Sequence, residues 1–403
     1  MKVIYDREKQ RVPIKSWCEY PEESALKQAI AIANHPAIVN HMALMPDAHA
    51  GMGMPIGGVA ALLNAISPNL VGVDIGCGMC AFYTGYKLGK IQGKLLRNIR
   101  KDILEAIPVG FQHRDPKWID RTYPDIINGL DDLDDNYIVN LAADTNGLVD
   151  EKKVRAQIGT LGGGNHFIEI QKDQNNGIWV MIHSGSRNVG KQVADLHGKI
   201  AIAQCAKWHT MLPDKSLAFL PFDDKLGREY FRAMQFSLAF ALANRRVMMM
   251  AVAEVFAKNK LPWPENWKGD MINIHHNYAS IENHFGKNVI VHRKGATLAR
   301  TGTVGIIPGS MGTSSYIVKG LGNPDSFMSC SHGAGRTMSR SKAKKTIDIT
   351  DFRFKMKDIE CDATVDHLDE APQAYKDIDE VMRQQADLVE STVQLSPLAV
   401  IKG

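Results

Sequence analysis

The sequence has few cysteines, little net charge and no long uninterrupted apolar run, and each shortage excludes a class of protein. Six cysteines in 403 residues show no scaffold spacing, so we expect no disulfide framework and a reducing, cytoplasmic environment. A formal net charge of +4 is far below that of histones, so any nucleic acid must bind at a local basic patch. The first residues show no signal peptide, and polar residues 244–246 interrupt the apolar stretch 236–252, so we expect no transmembrane segment and no membrane partner.

Apolar periodicity and turn residues predict a mixture of strands and helices. The predicted strands are 56–63, 70–75, 178–183, 271–275, 288–293, 301–307 and 315–319, and the predicted helices are 22–35, 90–106, 227–257 and 377–393. These elements follow no regular βαβ order, and no repeat or Pro/Ser-rich linker divides the chain. We therefore expect an α+β fold in one large domain that covers residues 1–403.

Glycine is concentrated in three blocks of the chain. Residues 51–78, 159–190 and 295–335 contain 23 of the 34 glycines. Because glycine permits positive φ and close backbone approach, these blocks predict three places where the chain bends sharply or comes close to another group. Residues with catalytic or metal-binding potential lie in the same blocks. We therefore expect residues 74–77, 165–183 and 310–335 to meet around one point.

The first two blocks contain candidate ligands for a metal and for phosphate. Asp74 and Cys77 lie three residues apart around a glycine, so a carboxylate and a thiolate can converge on one metal ion; a buried cysteine beside a turn-forming aspartate gives the same pattern. In the second block, Gly-Gly-Gly precedes His166, and successive N–H groups in such a loop can bind an anion. His183 ends an apolar strand, and Arg187 can hold a phosphate with two hydrogen bonds. Each histidine fits a structural role equally well. No dinucleotide-binding or P-loop motif is present.

The remaining candidates lie near and within the third block. His275 and His276 are adjacent on a predicted strand, so they point to opposite faces and at most one can share the ligand face. His332 precedes a Gly-Ala-Gly turn, where it is accessible for covalent or metal chemistry. Residues 336–345 contain five basic side chains and no acid, which fits either a solvated helix face or a surface for RNA phosphates.

Taken together, these side chains predict a transition-metal site that handles phosphate. One cysteine with several imidazoles favours Mn, Fe, Co or Zn over a Mg²⁺ or Ca²⁺ site. Cys77 and Cys80 form a single CxxC with no second pair, so we expect neither a zinc ribbon nor a thioredoxin-type redox pair. The chemistry of these residues leaves the reaction itself open.

Eight ordered motifs resemble the RtcB family of RNA-splicing ligases, and the resemblance extends from about residue 12 to the terminal Val-Ile-Lys-Gly. The motifs are Pro46-Asp47 with His49, Asp74–Gly78, Gly164–Phe167, His183–Arg187, His276-Asn277, Pro308–Gly312, Ser331–Arg336 and Ala374–Asp379. The resemblance implies a complex mixed-sheet α+β fold particular to that family. It also implies a GTP- and Mn²⁺-dependent ligase that joins RNA 3′-phosphate or 2′,3′-cyclic phosphate ends to 5′-hydroxyl ends.

The resemblance also implies roles for individual residues. Cys77 would bridge two Mn²⁺ ions, with Asp74 and His166 completing one site. His183 and His276 would complete the other. The nucleophile that becomes guanylylated on the way to an RNA-ppG end would be His332, with Asp47 and Arg187 positioning the substrate. The implied guanosine pocket comprises Asn165, His166, Phe167, Ile168, Glu169, His276, Asn277, Pro308, Gly309, Ser310, Met311, Ser315, His332, Gly333, Ala334, Gly335, Tyr375 and Lys402.

The RNA substrate is the least defined part of this expectation. Halves of tRNA in splicing and broken RNA under repair, including damaged ribosomal RNA, both fit. We expect a monomer that works with an archease-type activator or a release-factor-like repair partner. Two other functions use the same residues: a metal-dependent cyclic phosphodiesterase or phosphohydrolase without ligation, and a protein that only binds nucleotide or RNA.

Overall fold

The protein is described here by a computed structural model that covers residues 1–131, 141, 145 and 147–403. Its β-strands are β1 (Lys2–Ile4), β2 (Ile14–Ser16), β3 (Ile38–His49), β4 (Ile56–Leu62), β5 (Ala65–Ile66), β6 (Gly78–Lys87), β7 (Phe167–Asp173), β8 (Gly177–Ser184), β9 (Leu220–Pro221), β10 (Ile272–His275), β11 (Asn277–His284), β12 (Lys287–Lys294), β13 (Ala296–Leu298), β14 (Val304–Ile307), β15 (Ser315–Gly320), β16 (Ser329–Ser331) and β17 (Val389–Lys402).

Helices lie between and around these strands. The α-helices are α1 (Glu23–Ala33), α2 (Pro68–Val71), α3 (Lys94–Ala106), α4 (Trp118–Thr122), α5 (Pro124–Asp131), α6 (Glu151–Gln157), α7 (Arg187–Lys207), α8 (Lys225–Lys258), α9 (Trp267–Asp270), α10 (Arg340–Thr346), α11 (Ile349–Lys355) and α12 (Ile378–Gln384). Short 3₁₀ turns are formed by Leu88–Lys90, Lys215–Leu217, Pro324–Ser326, Val365–Glu370 and Pro372–Ala374.

Two large sheets organise the strands. One has the order β1-β2-β3-β4-β12-β11, and the other has the order β10-β6-β8-β7-β17-β15-β14. All neighbouring strands in the second sheet are antiparallel, whereas β2 and β3 in the first are parallel. Strands that are distant in sequence are therefore neighbours in space. This mixture of helices with largely antiparallel sheets confirms the predicted α+β class.

Alternation along β7 and β8 decides which face of the second sheet carries functional groups. Ile168, Val180 and Ile182 point to one face and pack with apolar residues of α3 and α8. Phe167 and His183, which are paired across the two strands, point to the other face. The apolar face anchors the sheet in the core, so the opposite face is held rigidly in place.

The longest helix, α8, matches the predicted helix 227–257. By length and composition it could cross a membrane, but 67% of its apolar window is buried inside the protein. It packs against α3, α7, β6 and β8. This burial is the behaviour of a core helix, because side chains all around its circumference contact other elements.

Two predicted elements are wrong. Residues 70–75 do not form a strand: Pro68 starts the short helix α2, and Gly72, with φ of 96°, ends it. The predicted helix 377–393 ends at Gln384, and the strand β17 begins at Val389. β17 pairs with both β7 and β15, and this pairing outweighs the local helical pattern.

A buried ion pair connects the first sheet to the segment that precedes His332. Arg293 on β12 and Glu282 on β11 are hydrogen-bonded to each other, and both side chains are almost completely buried. Arg293 also donates from Nε to Ser329 Oγ at 2.8 Å and from Nη2 to the carbonyl of Phe327 at 2.9 Å. One guanidinium therefore fixes the start of β16, the strand that ends next to His332.

We expect Glu282→Gln to lower the free energy of unfolding by about 3–5 kcal/mol, because it leaves the Arg293 guanidinium buried without a counter-charge. Urea unfolding followed by circular dichroism measures this change. Glu23→Gln is the matched control, since Glu23 is exposed and pairs with Lys27 on the surface of α1. Equal stability of the two variants would contradict a structural role for the buried pair.

Candidate active site

Two groups of three metal-ligating side chains share Cys77. The potential ligand atoms of Cys77, His183 and His276 all lie within 4.8 Å of one another, and so do those of Asp74, Cys77 and His166. The Sγ atom of Cys77 is 3.3 Å from Nε2 of His183 and 3.6 Å from Nε2 of His166. A single thiol therefore lies between two ligand sets.

Different elements bring these five side chains together. Asp74 and Cys77 lie in the turn between α2 and β6, which packs directly on α8. A Cβ atom at Gly76, where φ is 76°, would lie 2.9 Å from the Cβ of Ala241, so only glycine permits this approach. His183 comes from β8, and His276 follows β10. The turn, β8 and the end of β10 are neighbours because β6 pairs with both strands.

Backbone carbonyls orient the imidazoles of this cluster. Nδ1 of His166 lies 2.9 Å from the carbonyl oxygen of Leu161, and Nδ1 of His183 lies 3.1 Å from that of Asn165. Because a carbonyl only accepts hydrogen bonds, Nδ1 is the protonated nitrogen in both rings. Each Nε2 faces the cluster and is the nitrogen left to bind a metal ion, as in metal-binding histidines.

Burial shapes the protonation of the cluster. It lowers the pKa of His183 and of His276 well below the ordinary value and raises the pKa of the Cys77 thiol well above it. Burial also raises the pKa of Asp74, but its contact with His166 outweighs this, and the net pKa is lowered. Neutral imidazoles, a carboxylate and a thiol that ionises on binding a cation form the donor set of a transition metal.

His275 lies on the other side of its strand, as strand alternation predicted. Its Nδ1 is 3.1 Å from the carbonyl oxygen of Gly76 and 3.3 Å from Nη2 of Arg245. Burial lowers the pKa of His275 to about 3. It is therefore a neutral structural histidine, and of the two adjacent histidines only His276 joins the cluster.

Two buried polar side chains of α8 fix the backbone of the ligand loops. Arg245 donates from Nη1 to the carbonyl oxygens of Gly76 and Ser184 at 3.0 and 2.8 Å. Oδ1 of Asn244 accepts from the backbone N–H of Gly159 at 2.7 Å. Sequence reasoning treated these residues only as interruptions of an apolar stretch. Their polarity inside a buried helix was the missed signal, because buried polar groups must be hydrogen-bonded.

His332 lies beside the cluster, and its ring centroid is 4.9 Å from that of His276. Its Nδ1 donates to Oδ2 of Asp47 at 2.6 Å, and its backbone N–H donates to the same oxygen at 3.1 Å. Burial raises the pKa of Asp47, but the charge and hydrogen bond of His332 outweigh this and lower it overall. The Asp47 side chain is fully buried, so it contacts the imidazole and does not face an open cavity.

A cavity of about 190 Å³ opens beside His332 and His183. Most of the residues predicted for the guanosine pocket line it: Asn165, Phe167, Glu169, Pro308, Gly309, Ser310, Met311, Gly333, Ala334, Gly335, Tyr375 and Lys402. Together with the metal cluster, this cavity brings the three glycine-rich blocks to one place, as the sequence predicted.

Three residues predicted for that pocket are elsewhere. Ile168 points to the apolar face of β7 and is fully buried in the core. His166 lines a second cavity, and His276 belongs to the metal cluster. Ile168 is therefore not in a position to contact a ligand in the first cavity, because alternate residues of a strand point to opposite faces.

Two further predicted pocket residues support neighbouring loops. Asn277 donates from Nδ2 to the carbonyl of Asp74 at 3.0 Å. Ser315 accepts at Oγ from the backbone N–H of Gly309 at 3.2 Å. Neither side chain lines the first cavity. Both hold backbone that carries residues of the site.

The cavity contains a carboxylate that sequence reasoning missed. Glu370 accepts from Nζ of Lys402 and from the hydroxyl of Tyr375, each at 2.8 Å, and lies 3.3 Å from Nη1 of Arg336. Glu370 lies outside the glycine-rich blocks and outside every motif, so nothing local indicated it. His49 also lines the cavity, although only its motif had been noted.

The basic stretch 336–345 is partly paired with acidic residues. Arg336 and Arg340 line the first cavity, and Lys344 on α10 lies 3.5 Å from Asp369. Arg340 lies 3.8 Å from both Asp369 and Glu370. The stretch is therefore more than a solvated helix face, and its contact with RNA remains a prediction.

A second cavity, of about 720 Å³, opens on the other side of the cluster. It is lined by Val73, Asp74, Gly110, Phe111, His113, Gln157, Gly163, Gly164, His166, Arg187, Asn188, Lys191 and Gly403. Arg187 is held there by hydrogen bonds from Nε to Oγ1 of Thr160 at 3.1 Å and from Nη2 to the carbonyl of Gly110 at 3.3 Å. Arg187, the predicted phosphate ligand, therefore lies near the group formed by Asp74, Cys77 and His166, but it does not line the first cavity, beside His332.

Over nearly its whole length the chain is similar to known proteins that share one name. The family model described as tRNA-splicing ligase RtcB matches residues 28–403. The chain is 39% identical to the RNA-splicing ligase RtcB of Escherichia coli (strain K12), and the alignment covers 98% of each protein. It is 32% identical to the tRNA-splicing ligase RtcB of Nanoarchaeum equitans, with 98% of this chain and 96% of that protein covered. It is 31% identical to the tRNA-splicing ligase RtcB of Thermococcus kodakarensis, over 95% of this chain and 92% of that protein.

Proposed function

Because the chain belongs to the RtcB family and is therefore an RNA ligase, we propose that it joins RNA 3′-phosphate or 2′,3′-cyclic phosphate ends to 5′-hydroxyl ends with GTP as cosubstrate. The observation that carries this proposal is the position of His332. Its Nδ1 donates to Asp47, so Nε2 is the nitrogen left for chemistry on a ring that lies beside both the metal cluster and the first cavity.

The donor set supports a metal-dependent reaction. We propose two Mn²⁺ ions per site, one held by Asp74, Cys77 and His166 and the other by Cys77, His183 and His276. When bound, such ions neutralise phosphate charge during transfer. The Leu161 and Asn165 carbonyls hold Nδ1 of His166 and His183, so Nε2 of these two rings is already directed at the cluster.

His332 carries the first chemical step in this proposal. Its Nε2 forms a bond to the α-phosphorus of GTP, and the bond from that phosphorus to the bridging oxygen of pyrophosphate breaks. Positive charge develops on the imidazole as the bond forms. The buried Asp47 carboxylate stabilises this charge and holds the ring, which revises its expected role from positioning substrate to positioning the nucleophile.

The following steps pass the guanylyl group to RNA. An oxygen of the RNA 3′-phosphate attacks the phosphorus on His332, the P–N bond breaks, and an RNA-ppG end forms. The 5′-hydroxyl oxygen then attacks the RNA phosphorus, loses its proton, and GMP leaves with the bridging oxygen. A cyclic end is first opened by water to a 3′-phosphate. Arg187, in the second cavity, is placed to hold an RNA phosphate.

The first cavity supports recognition of guanine. Glu169 is buried there, accepts a hydrogen bond from Gln171 at 2.6 Å, and has a pKa that burial raises to about 8 against the opposing charge of Lys402. The N1–H and amino donors of guanine would favour the ionised form of Glu169, which can accept from both, whereas adenine offers no N1–H donor. This supports GTP in preference to ATP.

The test is to incubate the protein with Mn²⁺ and α-labelled GTP and to look for an acid-labile, alkali-stable protein adduct. We expect the adduct, and we expect RNA with a 3′-phosphate to discharge it. α-Labelled ATP is the control and should give much less adduct. A phosphodiesterase would open a cyclic phosphate without any adduct, and a binding protein would do neither, so either result would contradict the proposal.

We propose broken RNA under repair or tRNA halves as substrates. Sealing of nicked tRNA and of cleaved 16S ribosomal RNA distinguishes these uses, and joining of tRNA alone would contradict a repair function. The following expectations stay predictions: a single domain over residues 1–403, a monomeric state, a cytoplasmic location, and help from an archease-type activator or a release-factor-like partner.

A further inference from the structure

Phe111 is the most exposed large apolar side chain among the described residues, with 99% of its surface accessible. It lies in the loop between α3 and α4 and lines the second cavity, together with Asp74, His166 and Arg187. A ring that contacts almost nothing contributes nothing to the packing of the core. A single exposed phenylalanine is common on protein surfaces, but this ring lines a cavity that also holds metal-ligating and cationic side chains, where a bound ligand can cover it.

The loop that carries Phe111 is anchored on both sides. The backbone N–H of Gly110 donates to the carbonyl of Gly162 at 2.9 Å, and the N–H of Arg114 donates to the carbonyl of Ala156 at 2.9 Å. Arg114 is also seated 3.7 Å above the ring of Trp118. The backbone that carries the Phe111 ring is therefore hydrogen-bonded to residues 156–162, which precede the proposed metal ligand His166.

The second cavity also contains side chains that can bind the phosphates of an RNA strand. Arg187 and Lys191 provide positive charge for phosphates, and Asp74 and His166 form the side of the metal cluster that faces this cavity. At about 720 Å³ it is much larger than the cavity of about 190 Å³ beside His332. If guanosine occupies the smaller cavity, the larger one is left for the RNA end.

We propose that Phe111 stacks on a base near the end of the RNA strand that carries the 3′-phosphate, while Arg187 and Lys191 hold its backbone. This rests on the proposed function, because it assumes that the metal cluster receives an RNA phosphate. Aromatic side chains are the usual platforms for unpaired bases, and stacking tolerates every sequence because each base has a π-face. Phe111 thus serves as a binding residue for single-stranded RNA of any sequence.

The experiment compares the full-length protein with Phe111→Ala and Phe111→Trp, using a 3′-phosphorylated RNA oligonucleotide. We expect Phe111→Ala to raise the KM for this RNA about tenfold, the fold-change that corresponds to the loss of one stacked base. Phe111→Trp should restore the KM, and its fluorescence should be quenched when the RNA is added. Phe354→Ala is the matched control, because Phe354 is also exposed, on α11, and lines neither cavity.

Abasic oligonucleotides make the test specific. With abasic sites in the terminal nucleotides of the 3′-phosphate strand, wild type and Phe111→Ala should have the same KM. An unchanged KM in Phe111→Ala, an equal loss on abasic RNA, or an effect that follows abasic sites in the 5′-hydroxyl strand would overturn the proposal. The GTP adduct of the wild-type protein is measured first without RNA. Its absence would contradict the proposed function, whereas its presence with any of these three results would contradict only the role of Phe111.

Discussion

His332→Ala is expected to form no GMP adduct and to lower RNA sealing by at least about 10³-fold, since the variant has no nitrogen that can attack GTP. The adduct is measured with α-labelled GTP, and sealing is measured with RNA that carries 3′-phosphate and 5′-hydroxyl ends. Mn²⁺ binding, followed by electron paramagnetic resonance, should be unchanged because His332 belongs to neither ligand triad. This combination separates a nucleophile from a metal ligand.

Asp47→Asn provides a graded comparison at the same nucleophile. The amide keeps the shape of the carboxylate but not its charge, so the ring is held less well and the positive charge on it is less stabilised. We expect a slow adduct rather than none. For His332→Ala, the matched control is His209→Ala, which also removes an imidazole. His209 is exposed and lies outside the cluster and both cavities. A labelled adduct of normal yield in His332→Ala would show that another residue is the nucleophile.

Cys77→Ala is expected to lose both metal ions, because its Sγ is the atom that the two triads have in common. Removing a group outside the ligand shell commonly weakens metal binding 10- to 100-fold, so the loss of a shared ligand should weaken Mn²⁺ binding by at least about 100-fold. Adduct formation and RNA sealing should disappear with it. Isothermal titration with Mn²⁺ measures the affinity and the number of ions.

Two further variants define what the shared thiol does. His276→Ala removes a ligand from one triad alone, so we expect one ion to remain. Cys80→Ala is the matched control, because Cys80 is equally buried but its Sγ faces the carbonyl of Arg245 at 4.0 Å and joins neither triad. Circular dichroism confirms that each variant is folded. Binding of two ions with normal affinity in Cys77→Ala would rule out the bridging role.

Local patterns were sufficient for several elements of the fold. The core helix α8 and the strands β8, β10 and β12 follow from runs of apolar residues with clear boundaries. The sequence did not predict β3, β6 or β7, although these strands carry or adjoin Asp47, Cys77 and His166. Each lies in a glycine-rich or mixed stretch, where pairing with distant strands decides the conformation rather than propensity.

The candidate site, like the fold, has some features that the local sequence indicated and others that only the packing of distant segments placed. The order and chemical types of the ligands were visible in the sequence, because a cysteine, an aspartate and histidines stand in or beside glycine-rich loops, and the family resemblance distinguished them from structural residues of the same types. Strand alternation limited the choice between His275 and His276 to one, and the resemblance implied His276. In the structure His275 packs against Arg245, and His276 faces the cluster.

The sequence by itself determined the family, the α+β class and the set of side chains that form the two metal-ligating groups. Only the tertiary structure decided that Asp47 lies beside His332, 285 residues away, that Asn244 and Arg245 hold the ligand loops, and that Glu370 lines the cavity beside His332. The reason is physical. Periodicity and turn residues record interactions within one turn or strand, whereas these contacts join segments that are brought together by packing of two sheets around a core helix.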